Sequence, residues 1–357
     1  MANPGQLDVT SISARIHTLG LNWLAKDNEL TILADSDRKL RLGAAPPAGK
    51  TLVALEALSA TQLHAAAAGY PAAYDARAAG WVTPIEDQGG CGSCVAFGSI
   101  ATFESAVRIA NNNPGLSVDL SEAQTFYCYG KAAGATCGSG WWPDGAFNAF
   151  KTGVVDAACF PYTAGDQNCN LCSNSSSRMT SISDWTSLNN TSAMKTQIAT
   201  KGPVTTCFTV YNDFFSYSSG TYSPDTSSGV AGGHCVCVVG YSDAGKYWIC
   251  KNSWGTGWGE QGFFCIAYNV CGIDAEMWAI NSVVDTGWRN SQVIRGLWAI
   301  DQDFNAWAYL SEYGWKKIAN NSDNIFYDML SQLAAAKAAG HSVSVHLTNG
   351  LIDQIYS

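Results

Sequence analysis

The chain has 357 residues, enough to bury more than one sizeable core. It is 47% hydrophobic and only 14% charged, which excludes a disordered chain. A net charge of -9 with no Lys/Arg cluster excludes a nucleic-acid partner, and no apolar run reaches the roughly 18 residues of a membrane span.

In chain order the sequence falls into three segments. Residues 1–69 read as helical and end in an Ala-rich stretch that carries Pro46-Pro47 and Ala65 to Ala68. Residues 70–286 are rich in Gly, Cys and aromatics. Within them Gln88-Gly89-Gly90-Cys91-Gly92-Ser93 reads as a loop feeding a helix that starts at Cys94. Ala96, Ile100, Phe103, Val107 and Ala110 then recur at helical spacing until Asn111-Asn112-Asn113-Pro114 stops the run. Further on, Cys235-Val236-Cys237-Val238-Val239, Tyr247-Trp248-Ile249-Cys250 and Phe263-Phe264-Cys265-Ile266 read as short strands between glycines. A helix-bearing half followed by a strand-bearing half is α+β architecture.

Residues 287–357 contain no Cys and no Pro, a shift in composition that marks a separate small domain. This tail reads strand, strand, helix, hairpin. Ile325, Met329, Leu333 and Ala336 give the helical stripe, Gly340 ends it, and Asn349-Gly350 marks the hairpin.

Thirteen cysteines favour an oxidising compartment, and the odd count leaves one thiol if all the others pair. The alternative is that several strand cysteines are free and buried. Secretion, or another oxidising compartment, is the expected location. The sequence opens Met-Ala-Asn-Pro with no signal peptide, as it would if a start Met replaced a removed export signal.

A thiol at the start of a helix faces unpaired backbone N–H groups and the positive end of the dipole, so Cys94 is placed to ionise. A thiolate nucleophile also needs an acid for the leaving amine, usually histidine. Of five histidines, His234 follows Gly232-Gly233, which leave room for a substrate. Eighteen residues later, Asn252 could accept its second N–H while the Trp254 indole shields that bond. Cys91-x-x-Cys94 taken alone also fits a redox pair or half a zinc site, and Cys169-x-x-Cys172 fits half a zinc site or disulfides. His17, His64, His341 and His346 read as non-functional, and no metal or cofactor is expected.

These residues carry a resemblance. Gln88 to Phe97 is similar to the active-site segment of papain and the cathepsins, and Asn252 to Gly259 to their asparagine segment. Tyr74-Asp75-Ala76-Arg77, Leu120-Ser121-Glu122-Ala123-Gln124, Cys137-Gly138-Ser139-Gly140 and Phe160-Pro161-Tyr162 resemble further family motifs in the family order. Cys271-Gly272-Ile273-Asp274-Ala275-Glu276 resembles cathepsin B most. The resemblance implies a two-lobed papain-like fold over residues 70–286 and a cysteine endopeptidase acting on protein or peptide substrates. Cys94 would be the nucleophile, His234 its proton partner, Asn252 the orienting group and Gln88 an oxyanion donor. Ser139, Gly140, Trp141, Trp142 and Gly233 would line the cleft. Glu276 would close the pocket for the second residue before the scissile bond, with Trp141 and Trp142 as apolar walls. The implied disulfides are Cys91–Cys137 and Cys128–Cys169, followed by Cys159–Cys172.

The sequence departs from the pattern in four places. Val95 stands where the family usually has tryptophan, and Ser139 replaces one shelf glycine. The usual cysteine shortly before the histidine is missing, which leaves Cys271 without an assigned partner. No adjacent histidines are present to give dipeptide release, so the reading is an endopeptidase.

The flanks extend the resemblance. Asn22-Trp23-Leu24-Ala25-Lys26-Asp27-Asn28 and Leu42-Gly43 are similar to the short propeptide of cathepsin B-like zymogens, which lies backwards through the cleft. That implies a latent precursor processed in the Ala-rich linker before Tyr70; the alternative is an ordinary helical extension. The tail suggests a small OB-like barrel, and its helix and hairpin are similar to the binding subunits of some bacterial AB5 toxins. It is expected to bind a glycan or to drive oligomerisation. Two other functions stay open: transpeptidation or peptide ligation through the same thioester, and a non-catalytic binding protein on a peptidase scaffold.

Overall fold

A computed structural model of the protein describes residues 5–64, 69–284, 287–320, 322–348 and 350–356. The leading segment holds three short helices and one strand. Helix α1 (Val9–Leu19) starts where the Asp8 carboxylate accepts the Ser11 N–H and ends at Gly20 in the left-handed conformation. Strand β1 (Trp23–Ala25), α2 (Asp35–Lys39) and α3 (Leu52–Ala60) follow. The sequence reading was helical throughout and missed β1. This strand exists because it finds a partner edge elsewhere in the chain and drops Trp23 into that partner's core, where only 2% of the residue is exposed.

The central region begins with β2 (Ala73–Asp75) and α4 (Cys94–Ala110), the helix expected from the spacing, and continues through α5 (Pro143–Phe150). The second half supplies β3 (Ser181–Leu188), α6 (Thr191–Thr200), β4 (Val204–Tyr211), β5 (Tyr217–Tyr222), β6 (Val230–Ser242), β7 (Tyr247–Lys251), β8 (Phe263–Ala267) and β9 (Met277–Val284). Their order in the sheet is β1-β5-β8-β7-β6-β4-β9-β3, with β2 on β6, so the leading segment donates an edge strand. This is the α+β, two-lobed arrangement. One core gathers Ile100, Phe103, Phe147 and Phe150 on the helical side, and another gathers Phe208, Phe214, Trp254 and Trp258 on the sheet side. The lobes meet where α4 crosses β6. A Cβ on Gly98 would lie 3.0 Å from the Val236 backbone nitrogen, so the crossing is tight enough to need the missing side chain.

Cysteines pair as Cys91–Cys137, Cys128–Cys169 and Cys159–Cys172. Cys94, Cys207, Cys235, Cys237, Cys250, Cys265 and Cys271 are free. The odd count therefore does not single out one thiol. The strand cysteines follow the alternative reading and act as small apolar side chains.

The tail forms a closed five-stranded barrel of order β10-β11-β12-β14-β13, built from β10 (Gly287–Ala299), β11 (Ala306–Leu310), β12 (Gly314–Ile318), β13 (Ser342–Thr348) and β14 (Leu351–Tyr356). Helix α7 (Asp323–Ala339) packs on it and ends at Gly340 in the left-handed region. Three strands precede the helix rather than two. The buried stripe is Phe326, Met329, Leu333 and Ala336, whereas Ile325 is 48% exposed. The apolar pair Ile325-Phe326 straddles the stripe boundary, and the core takes the larger ring. Three expected features lie outside the described residues: Ala65 to Ala68, the 286/287 boundary residue Thr286, and Asn349 of the hairpin turn. Among the described residues no helix is long and apolar enough to cross a membrane.

Candidate active site

Cys94 is the first residue of α4, and its Ser93 cap has no side-chain hydrogen bond, so the helix N-terminus is left open to the thiol. The backbone N–H groups of Cys235, Gly43 and Val95 are near enough to favour the Cys94 thiolate. Cys94 is fully buried, and burial pushes the thiol well above its ordinary range. His234 stands on β6, opposite Phe208 of β4. Its Nε2 lies 2.7 Å from Asn252 Oδ1, while Nδ1 has no hydrogen-bond partner. The Trp254 ring packs on the imidazole with centroids 4.7 Å apart. Burial pulls His234 down to about 4, against the Asn252 bond that favours its charged form. Thiol and imidazole are therefore both neutral around pH 7 in this closed state.

Gln88 is held from both ends. Its Oε1 accepts the Ser253 hydroxyl at 2.7 Å, and its Nε2 donates to the Arg41 carbonyl at 3.1 Å and to the Cys91 carbonyl at 2.8 Å. Ser253 was missed in the sequence. The only signal was a hydroxyl next to Asn252, and its N–H also donates to Asn252 Oδ1 at 2.9 Å.

The leading segment runs through this site. The Ala44 N–H donates to Gly233 O at 3.0 Å, the Trp141 N–H to Gly43 O at 2.8 Å, and the Ala45 N–H to Trp141 O at 2.9 Å. A Cβ on Gly43 would lie 1.9 Å from Gly92 O; one on Gly140 would lie 2.2 Å from Gly43 O, and one on Gly233 2.2 Å from Ala44 O. Only backbone fits between these walls. Ser139 is exposed, and its hydroxyl accepts the Thr136 N–H at 2.9 Å within its own turn.

Glu276 forms an ion pair of 2.5 Å with Lys50 of the same segment. The Lys50 ammonium also lies 5.6 Å from the Trp142 ring and 5.9 Å from the Trp278 ring. The walls of this slot are thus Trp142 and Trp278. Trp141, expected as a wall, turns its ring into the helical lobe, where Gly130 and Gly145 make room for it, and faces the cleft only with its backbone. Trp278 was missed because on β9 it reads as an ordinary core strand residue.

Further ties fasten the segment. Arg15 pairs with Asp225 at 2.8 Å, Arg41 with Asp87 at 2.6 Å, and His64 with the buried Asp274 at 2.9 Å. His64 also stacks on Tyr268 at 3.8 Å, and Ser59 donates to Asp274. His64, read from sequence as non-functional, is a docking contact. The hydrogen bond from Arg15 holds Asp225 down at about 2.

Comparison with known proteins finds that the Papain family cysteine protease profile matches residues 70–280. A cathepsin L-like proteinase of Fasciola hepatica is 34% identical over 211 residues, covering 57% of this chain and 63% of its own length. The chain thus spans less than two thirds of that relative. The Giardia intestinalis protein named cathepsin B-like CP3 is 36% identical over 211 residues, 55% of this chain and 69% of its own. Among solved structures, the digestive procathepsin L2 proteinase of Tenebrio molitor larval midgut aligns with a TM-score of 0.61 at 31% identity, over 75% of this chain and 87% of that one. The proCathepsin B S9 of Trypanosoma congolense aligns with a TM-score of 0.63 at 24% identity, over 78% and 98%, a likeness of fold.

Proposed function

Because the chain belongs to the papain family of cysteine proteases, we propose that it is a latent cysteine endopeptidase whose leading segment must leave before it hydrolyses peptide bonds. Departure of that segment returns water and a substrate to the cleft, removing the burial that keeps Cys94 and His234 neutral. Cys94 then ionises against the helix N-terminus and the imidazolium. The thiolate attacks the scissile carbonyl, and the oxyanion takes hydrogen bonds from the Cys94 N–H and the Gln88 Nε2. His234 protonates the departing amine through Nδ1 and then takes a proton from the water that releases the acid. Asn252 holds the tautomer through Nε2, and Trp254 keeps water from that bond.

The observation that carries this reading is the Nε2–Asn252 bond, which leaves Nδ1 without a partner on the residue next to Cys235, whose backbone N–H favours the Cys94 thiolate. The Arg41 carbonyl on Gln88 Nε2 supports the oxyanion assignment, since it puts a carbonyl oxygen where a reacting one would lie. Lys50 in the slot of Glu276, Trp142 and Trp278 supports a preference for a basic residue two places before the scissile bond. The three disulfides support work in an oxidising compartment, such as outside the cell. The test is to acidify the protein with a thiol reductant and assay Phe-Arg and Arg-Arg fluorogenic peptides on wild type, Cys94→Ala and Glu276→Ala. Wild-type turnover by Cys94→Ala would end the proposal. An unchanged ratio of the two kcat/KM values in Glu276→Ala would end only the slot assignment.

A further inference from the structure

The barrel carries a surface that the peptidase reading leaves unused. On three adjacent strands the outward side chains fall into two rows. Trp298 of β10 faces Trp307 of β11, which faces Lys317 of β12. In the next row Gly296 faces Tyr309, which faces Trp315. Gly296 leaves a gap, and the Trp315 ring leans over it: a Cβ there would lie 3.0 Å from the indole. The result is a concavity of about 320 Å³ lined by Trp298, Trp307 and Trp315. Trp298 and Trp315 are each 47% exposed, while the inward neighbours Ala306, Ala308 and Leu310 form the barrel core. The rings are held in place. Trp307 Nε1 donates to Asn305 Oδ1 at 3.0 Å, Asn305 Nδ2 donates to Gln302 Oε1 at 2.9 Å, and Tyr309 packs edge-on against Trp315 at 5.4 Å.

We propose that Trp298, Trp307 and Trp315 form a carbohydrate-binding site that stacks one or two sugar rings of a glycan. Rigid indoles offer flat apolar faces to the C–H face of a pyranose, and Lys317, opposite Trp307, and Tyr309, opposite Trp315, are the neighbouring polar residues suited to its hydroxyls. The volume lies at the small end of ligand pockets, the size of a ring or two rather than of a protein segment. A second copy of the chain fits poorly. Two half-exposed indoles and a less exposed third offer at most roughly 300 Å², against the about 800 Å² that each partner contributes to a stable interface. A quaternary ammonium fits poorly too, because no carboxylate lines the concavity and Lys317 lies directly opposite Trp307. Stacked nucleobases would need a basic groove along the backbone. Residues 287–357 instead hold five Lys/Arg against six Asp/Glu, in a chain of net charge -9.

The test uses the full chain with Cys94→Ala, so that nothing is cut. Cellohexaose, chitohexaose, mannohexaose and lactose are titrated calorimetrically, with choline and oligo-dT alongside. At least one saccharide should bind saturably. Trp307→Ala and, separately, Trp298→Ala should each weaken that binding at least tenfold with the thermal midpoint unchanged. If either variant unfolds the barrel, the other and Lys317→Ala read the same surface. Binding by none of the saccharides overturns the proposal. So does choline or oligo-dT binding that Trp307→Ala removes, or a dimer in sedimentation that Trp298→Ala dissolves.

Discussion

Residues 5–64 and residues 287–356 both flank the peptidase, yet they belong to it in different senses. Ile16, Trp23, Leu30 and Leu42 of the leading segment are members of the sheet-side core, and Ala44 and Leu55 are members of the helical-side core. The segment has no core of its own among the described residues. The tail has one: Ile294, Leu310, Phe326, Leu333, Val345 and Ile352 pack on each other, and Tyr313 is the described tail residue that also packs on the helical-side core. Polar ties to the peptidase include that between Lys316 and Asn111 at 2.8 Å. Covalent attachment is thus a poor guide to membership. The first flank finishes someone else's core and can leave only by exposing it; the second is a finished module on a tether.

The sharpest way to break this contrast is to disable the nucleophile. Cys94→Ala should lower peptide turnover by about 10⁴–10⁶ and leave the leading segment uncut on acidification. Loss of that segment at the wild-type rate, followed by gel electrophoresis, would mean that this site does not release it. Next in size is the anchor. Trp23→Ala deletes a buried indole whose N–H donates to Ser223 O at 2.9 Å, at a cost of about 3–5 kcal/mol. The inhibition constant of residues 1–64 added to the processed enzyme should rise about 10²–10⁴-fold, whereas Trp307→Ala should leave it unchanged.

Proton linkage gives the third test. His234 is held at about 4 in the closed state, below its ordinary 6.5. Once the cleft opens it can take a proton that the closed state refuses. The closed state is therefore fully favoured above about 6.5 and loses ground as pH falls toward 4, by on the order of 3 kcal/mol in the limit. Affinity of residues 1–64 for the Cys94→Ala processed enzyme should weaken across that window. His234→Ala should flatten the dependence. Asp225, held at about 2 against an ordinary 3.8, adds only a small change in the same direction at the bottom of that window, because most of its contribution is lost below pH 4.

Smaller again is the Lys50–Glu276 pair, whose side chains are 38% and 17% exposed. Lys50→Ala should weaken inhibition by about fivefold, near 1 kcal/mol, and less in high salt. Least of all, truncation after Val284 should change kcat/KM on small peptides by less than about twofold, since the tail's core and the catalytic groups share no residues. A larger loss would mean that the barrel supports the lobe it rests on.

Much of the site could be read from residue type and spacing because its chemistry is local. The glycines, thiol and helix start of 88–110 lie within one stretch, and His234 sits on β6 while Asn252 directly follows β7, the strand joined to it by a short turn. What could not be read depended on where separate strands bring side chains. Trp278 reaches the slot from β9, and nothing in Met277-Trp278-Ala279 says that its ring faces a pocket rather than the core. Trp141 misled for the converse reason, because adjacent residues on an extended chain point to opposite sides and only Trp142 turns to the slot. Ser253 and His64 act through partners 165 and 210 residues away in sequence. In the tail, Asn349-Gly350 marks the hairpin and Gly340 the helix end, but strand number and barrel closure are properties of pairing that one-dimensional patterns do not carry.

Strand β1 occupies the outer edge of β5, with Trp23 opposite Gly220. When the leading segment departs, the row of N–H and C=O groups it covered on β5 loses its mates, although Glu260 still accepts the Gly220 N–H at 3.0 Å. An uncovered strand edge is an invitation to any extended chain. Maturation therefore exchanges an inert, storable particle for a stickier one, and the processed enzyme should be the form that demands dilution, speed and prompt delivery to its substrate.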